Sequence, residues 1–216
     1  MSGLVRVLGL ILGGGQSSRM GADKALVDFG GKPMAAHVAA TMHELGAVEV
    51  MLGGAAPGVG AALGLAVATE PKPGFGPMSG LAAGMTAARR TSPPFDIVVV
   101  CPCDTPAVAV HDLRVLVDCL DDPGIDVACF GTSRGLEPLI SAWRPETCAS
   151  AIADAIAAGR GAVRDVIGQL RHIICGADNE LTLANINTTN DLRSALTTTV
   201  RHSKGIVARP SVEEPS

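Results

Sequence analysis

The residues whose types could do chemistry crowd into one short stretch. Gly13, Gly14 and Gly15 are followed by the hydroxyls of Ser17 and Ser18 and by two fixed positive charges, Arg19 and Lys24. Glycines let backbone N–H groups converge on an anion, because no Cβ blocks the approach. Arg and Lys neutralise the charge that N–H dipoles only partly offset. By composition the stretch is a phosphate cradle.

Several loops of this kind can be tested against spacing. An ATPase phosphate loop needs Gly-x4-Gly-Lys-Ser/Thr, and neither Gly13 nor Gly15 has Gly-Lys at the required offset. A dinucleotide loop needs Gly-x-Gly-x-x-Gly, which Gly13, Gly15 and Ser18 nearly meet. It also needs an acidic residue closing a second strand about 20 residues on. Residues 33–46 read as helix there, so that reading is weak. A purely structural glycine turn leaves Arg19, Asp23 and Lys24 unexplained.

The elements around the loop must position it. Leu4 to Leu12 is a near-continuous apolar run, broken only by Arg6 and Gly9, and reads as a buried parallel strand. Gly30-Gly-Lys-Pro33 is a turn. A helix begins at Pro33, with apolar residues at a period near 3.6, and closes at Gly46. Val48–Leu52 is a strand ending in Gly53-Gly54, residues up to Gly64 are helix or loop, and Leu65–Ala68 is a strand leading to Glu70. Three prolines and two glycines between Pro71 and Pro77 forbid regular structure. A helix over Met78–Ala88 and a strong strand over Phe95–Cys101 follow, and Pro102-Cys-Asp-Thr-Pro106 ends that strand abruptly.

Further along, Asp112–Leu120 is helical, and Asp126–Phe130 with Leu136–Trp143 reads as a hairpin around residues 131–135. Helices over Pro145–Ala158 and Val163–Leu170 precede short strands at His172–Cys175 and Thr182–Ala184. Asn187–Asp191 caps a last helix, and residues 198–216 read as a disordered tail. Strands alternating with helices predict α/β architecture with a mostly parallel sheet and a small antiparallel extension. Ligands of such sheets sit beyond the carboxyl ends of the strands, so residues 13–24, 53–54, 70–77 and 102–106 should converge.

Composition removes other classes. The chain has 216 residues, 47% hydrophobic and 18% charged, with formal net charge −4. It should therefore fold as one domain over residues 1–197, and it lacks the basic field that non-specific nucleic-acid binding needs. The aromatics are four Phe, one Trp and no Tyr, too few for stacking single-stranded nucleic acid. Six cysteines match no zinc spacing, and five scattered histidines form no ligand pair. The cysteines are expected to be reduced, mostly buried small hydrophobes. No signal peptide and no membrane span are recognisable, so a cytoplasmic protein is expected.

The stretch Leu12-Gly-Gly-Gly-x-Ser-x-Arg-Met-Gly-x-Asp-Lys24 closely resembles the opening signature of nucleotidyltransferases acting on sugars, isoprenoid precursors and pterins. Gly30-Gly-Lys-Pro33, Gly76-Pro-Met-Ser-Gly-Leu81, Cys101-Pro-Cys-Asp-Thr-Pro106 and Asn185-Ile-Asn-Thr188 with Asp191-Leu192 resemble the molybdenum cofactor guanylyltransferase family. Together these segments span residues 12–192 in the family's order. The chain departs from the family pattern at Gly13, where Ala is usual. It also departs at Gly53-Gly54, where Asn is common, at Glu70 in place of Asp, and at Thr189 in place of Pro.

The resemblance implies a three-layer Rossmann-like fold. Its nucleotide-binding half would cover about residues 1–107 and its pterin-substrate half about 108–197. It implies that GMP is transferred from GTP to the terminal phosphate of molybdopterin, with Mg²⁺ as cofactor and pyrophosphate released. The related cytidylyltransferase and a non-catalytic nucleotide-binding protein are the alternatives. A phosphate monoester has a second pKa of ~6 and is largely ionised at neutral pH, so no general base is needed. Catalysis reduces to positioning and charge neutralisation.

The residue assignments follow from that chemistry. Arg19, Lys24 and the Gly13–Gly15 N–H groups would take the triphosphate, with Lys24 following the departing pyrophosphate. Asp104, directly after the strongest strand, would hold Mg²⁺; the plainer alternative is a turn-forming Asp. Guanine would lie against backbone at Leu12, Gly13, Gly14, Gly80 and Leu81, and Gly53 and Glu70 would also bind the nucleotide. Asn185 and Asn187 would orient the second substrate or cap a helix. Lys72, Phe75, Arg164 and Asp165 are the remaining pterin candidates. A molybdoenzyme apoprotein or its chaperone would receive the product.

Overall fold

The computed structural model describes residues 4–13, 23–70, 72, 74–188, 191 and 193. The assignments to Gly14, Gly15 and Arg19, and the tail reading of 198–216, lie outside those residues.

β1 (Val7–Leu12) is buried along its whole length, as a parallel strand covered on both faces must be. After it, Gly30 and Gly31 take positive φ and turn a small ribbon, β2 (Asp28–Phe29) against β3 (Lys32–Pro33). α1 (Met34–Leu45) starts directly behind Pro33 and ends at a left-handed Gly46, as its sequence pattern requires. β4 (Glu49–Gly53) follows, and then a short helix α2 (Val59–Leu63) set between left-handed Gly58 and Gly64. β5 (Ala66–Ala68), α3 (Pro77–Arg90), β6 (Ile97–Pro102) and α4 (Val110–Asp118) complete the first half. β7 (Val127–Thr132) and β8 (Gly135–Trp143) form the hairpin, ahead of α5 (Pro145–Ala157), α6 (Val163–Ile167) and β9 (His172–Gly176).

The sheet order is β5-β4-β1-β6-β8-β7-β9. β8 runs antiparallel to both neighbours, while the other pairings in this sheet are parallel. The hairpin closes on Ser133-Arg134, tighter than the loop expected from composition, because Gly131 and Thr132 stay paired with Leu136 and Gly135. The register shifts after Cys129, opposite a stretch of β8 containing Pro138, which has no N–H to give a ladder.

Side chains leave the strands alternately to two apolar clusters. Leu8, Leu10, Leu12, Val98 and Val100 meet α3, α5 and α6 on one face. Val7, Ile11, Val50, Leu52 and Val99 meet α1 and α4 on the other. The result is the mostly parallel α/β sheet read from the alternation of elements, in the three-layer arrangement that the resemblance implies. No helix among the described residues is long and apolar enough to cross a membrane.

One expected strand is absent. Residues 182–184 form successive tight turns, with Thr182, Leu183 and Ala184 N–H groups donating to the carbonyls of Asn179, Glu180 and Leu181. Leu183 enters the core from this turn, so its apolar character reflects burial rather than strand pairing.

Candidate active site

The carboxyl ends of β1, β4 and β6 are laced together just before their loops diverge. Gly13 N–H donates to the Gly53 carbonyl at 2.9 Å, and Cys103 N–H to the Leu12 carbonyl at 3.0 Å. Lys24 arrives on a single 3-10 turn (Lys24–Leu26), whose start is capped by Asp23 Oδ1 accepting from Ala25 N–H at 2.9 Å. Ala25 is fully buried and anchors the turn. Asp23, whose crowding beside Lys24 had no structural account in the sequence, is thus a capping residue.

Asp104 lies in the turn after β6, next to fully buried Thr105. Lys24 Nζ donates to Asp104 Oδ2 at 2.9 Å, with the two side chains 20% and 14% exposed. A second bond runs from Lys24 Nζ to Asn187 Oδ1 at 2.5 Å. Thr105 Oγ1 donates to Asn185 Oδ1 at 2.9 Å, and Ile186 N–H donates to the Asp104 carbonyl at 2.7 Å. The late asparagines are therefore brought onto the first-half loops. Thr105 was legible only as part of the Pro-Cys-Asp-Thr-Pro run.

The flanking cysteines add no charge. Burial, followed by the neighbouring Asp104 carboxylate, pushes the Cys103 thiol up to about 12 and holds Cys101 well above its ordinary value. Both stay protonated at neutral pH, so the carboxylate is the anionic donor here. Among the described residues no group of three or more His, Cys, Asp and Glu could cage a metal. Asp104, a hard carboxylate at the sheet rim, nevertheless fits Mg²⁺, which is usually held by one or two carboxylates with substrate phosphates and water.

Gly53 and Gly80 form a floor beside this pair. A Cβ on Gly53 would lie 2.7 Å from the Gly80 carbonyl oxygen, so strand and helix meet backbone to backbone. Leu12 and Leu81 are buried, and they line the floor while their side chains fill the core. Glu70 lies half-buried beyond β5. Buried Ser79 clamps the preceding loop, donating to the Lys72 carbonyl at 2.8 Å and accepting from Phe75 N–H at 3.0 Å. No pattern in the sequence marks that clamp. The Lys72 ammonium lies 4.8 Å from the Phe75 ring centre, and Gly161, ahead of α6, approaches Phe75. Exposed Arg164 and Asp165 follow on α6, so these candidates share one corner. Trp143 is fully buried, its Nε1–H donating to Ser141 Oγ at 2.7 Å, and offers no face to a nucleotide base.

The strand ends of this α/β sheet set a lysine against an aspartate, and the family match over most of the chain makes it a nucleotidyltransferase. Residues 9–173 match the MobA-like NTP transferase domain. A probable molybdenum cofactor guanylyltransferase of Pelotomaculum thermopropionicum is 31% identical over 199 residues, covering 89% of this chain and 93% of the relative. A molybdenum cofactor guanylyltransferase of Cereibacter sphaeroides is 31% identical over 192 residues, covering 88% and 96%. The crystal structure of molybdopterin-guanine dinucleotide biosynthesis protein A from Archaeoglobus fulgidus shares the fold. Its TM-score is 0.73 at 21% identity, covering 90% of this chain and 99% of that one. The chain belongs to the MobA-like NTP transferase family.

Proposed function

We propose that this protein is a Mg²⁺-dependent, cytoplasmic molybdenum cofactor guanylyltransferase. A terminal phosphate oxygen of molybdopterin attacks the α-phosphorus of GTP. The bond from that phosphorus to the bridging oxygen of the β-phosphate breaks, and pyrophosphate leaves. The observation carrying this reading is the Lys24–Asp104 pair at the shared rim of β1 and β6, 2.9 Å apart and largely shielded from water.

The nucleophile is already ionised at neutral pH, so the chain's task is to bring two anions together. Lys24, with Arg19 assigned from the sequence, neutralises the triphosphate and follows the departing charge. Asp104 would hold Mg²⁺, which when bound offsets charge between the facing phosphates. The Gly53–Gly80 floor, with Leu12, Gly13 and Leu81, lies against the guanine and ribose, and Glu70 reaches the same side. Residues 1–107 serve the nucleotide and 108–197 the pterin, and the product passes to a molybdoenzyme apoprotein or its chaperone.

Incubation with molybdopterin, Mg²⁺ and each NTP in turn, followed by pyrophosphate measurement, tests this directly. GTP alone should support release. Release with CTP but not GTP would identify a cytidylyltransferase, and an absence of release with every NTP would identify a binding protein.

A further inference from the structure

We infer that Asn187 is a positioning residue for Lys24, holding its ammonium where the triphosphate must pass; this rests on the reading that Lys24 faces that group. An ammonium carries three N–H donors and no acceptor. Asp104 Oδ2 takes one at 2.9 Å and Asn187 Oδ1 a second at 2.5 Å. These are its acceptors among the described residues, and the third N–H would point at a phosphate oxygen. A single ion pair at a partly exposed site lets a flexible lysine swing about the carboxylate; a second acceptor from another direction fixes it.

Asn187 is itself held on both sides. Ile186, ahead of it, is buried with Phe29 and Met34, and its N–H donates to the Asp104 carbonyl at 2.7 Å. After it comes a reciprocal helix cap. Thr188 N–H donates to Asp191 Oδ2 at 2.9 Å, and Asp191 N–H to Thr188 Oγ1 at 3.1 Å. Asn187 N–H joins the same carboxylate at 3.0 Å. Thr188 is therefore the capping side chain, which leaves the Asn187 side chain for Lys24. Asn185 is spoken for by Thr105.

The first test uses ¹⁵N-lysine NMR without substrate, with Lys24 assigned by loss of its signal in Lys24→Met. The Lys24 ammonium protons should be protected from exchange in the native protein, lose that protection in Asn187→Ala, and keep it in Asn187→Asp, which retains an acceptor. Circular dichroism checks that each variant is folded. The second test is calorimetry with Mg·GTP. Asn187→Ala should weaken binding roughly ten- to hundredfold, the scale of a hydrogen bond to a charged group. It should add nothing in the Lys24→Met background. Unchanged Lys24 protection in folded Asn187→Ala would overturn the proposal, as would additive losses. A raised KM for molybdopterin with Lys24 protection intact would give Asn187 to the second substrate instead. Because the NMR arm needs no nucleotide, it stands even if the protein proves not to use GTP.

Discussion

Replacing Gly53 by alanine should push α3 off β4 and, under the proposed function, weaken nucleotide binding. The new Cβ would fall 2.7 Å from the Gly80 carbonyl oxygen and 3.1 Å from its carbonyl carbon, against an ordinary contact of at least 3.4 Å. The obstacle is backbone, so no rotamer change relieves it, and the helix must retreat by about 0.7 Å. Met78, Leu81 and Met85, all 1% exposed or less, move with it out of close packing. Overpacking of this kind costs about 1–3 kcal/mol. Gly80→Ala meets the same wall from the other side, at 2.9 Å from the Gly53 carbonyl carbon. Because one retreat relieves both clashes, the double variant should lose less than the two single losses combined. Urea unfolding gives the stabilities and calorimetry the Mg·GTP affinity, which should fall in each variant. Gly176→Ala, with nothing within 4 Å of the new Cβ, is the control. Gly53→Ala within about 0.5 kcal/mol of the native protein, the range of an innocuous substitution, with unchanged GTP affinity would refute the reasoning.

Lys24→Ala and Asp104→Ala should each abolish pyrophosphate release while leaving the circular dichroism spectrum native; full turnover in either would remove its assigned role. The Asp126 carboxylate accepts two bonds from Arg171, at 2.7 and 2.8 Å, and the Arg171 guanidinium draws its pKa from 3.8 to about 2. A depressed acid stabilises the fold above its unfolded pKa. Acid unfolding should therefore show a contribution lost as pH falls from about 4 to about 2. Asp126→Asn should remove it, as thermal melts across that range would reveal. Cys119 and Cys175 lie with their sulfurs 3.3 Å apart, half-buried and unbonded. A disulfide oxidant such as oxidised glutathione should join them through a mixed disulfide, while Cys101 and Cys103, buried out of its reach, remain unmodified; peptide mass mapping reads the outcome.

Local patterns carried most of the architecture. Pro33 and Gly46 bracket α1, and Ile97–Val100 marks β6, because propensity and burial agree at those places. Residues 182–184 misled because an apolar run shows that something is buried without showing how its backbone bonds. Lys24 and Asp104 stood out by residue type and place, and the fold brings them to 2.9 Å. Its second layer was not. Asp23 as a cap, Ser79 as a clamp and Thr188 in place of Asn187 at the last helix start depend on which neighbour a short polar side chain reaches. That is a three-dimensional fact with no period in the sequence.

The hydrogen bond from Lys24 to Asn187 joins residues 163 positions apart, and this separation has a temporal side. During synthesis at ~5–20 residues per second, the lysine precedes its asparagine partner by roughly 8–30 s. Once β4 and then β6 have been made they can pair with β1, but the cation still lacks its second anchor. A ribosome-bound or prematurely ended chain would carry Lys24 and Asp104 without the asparagine that fixes the ammonium. Competence for chemistry thus arrives with the last stretch of chain to return to the rim.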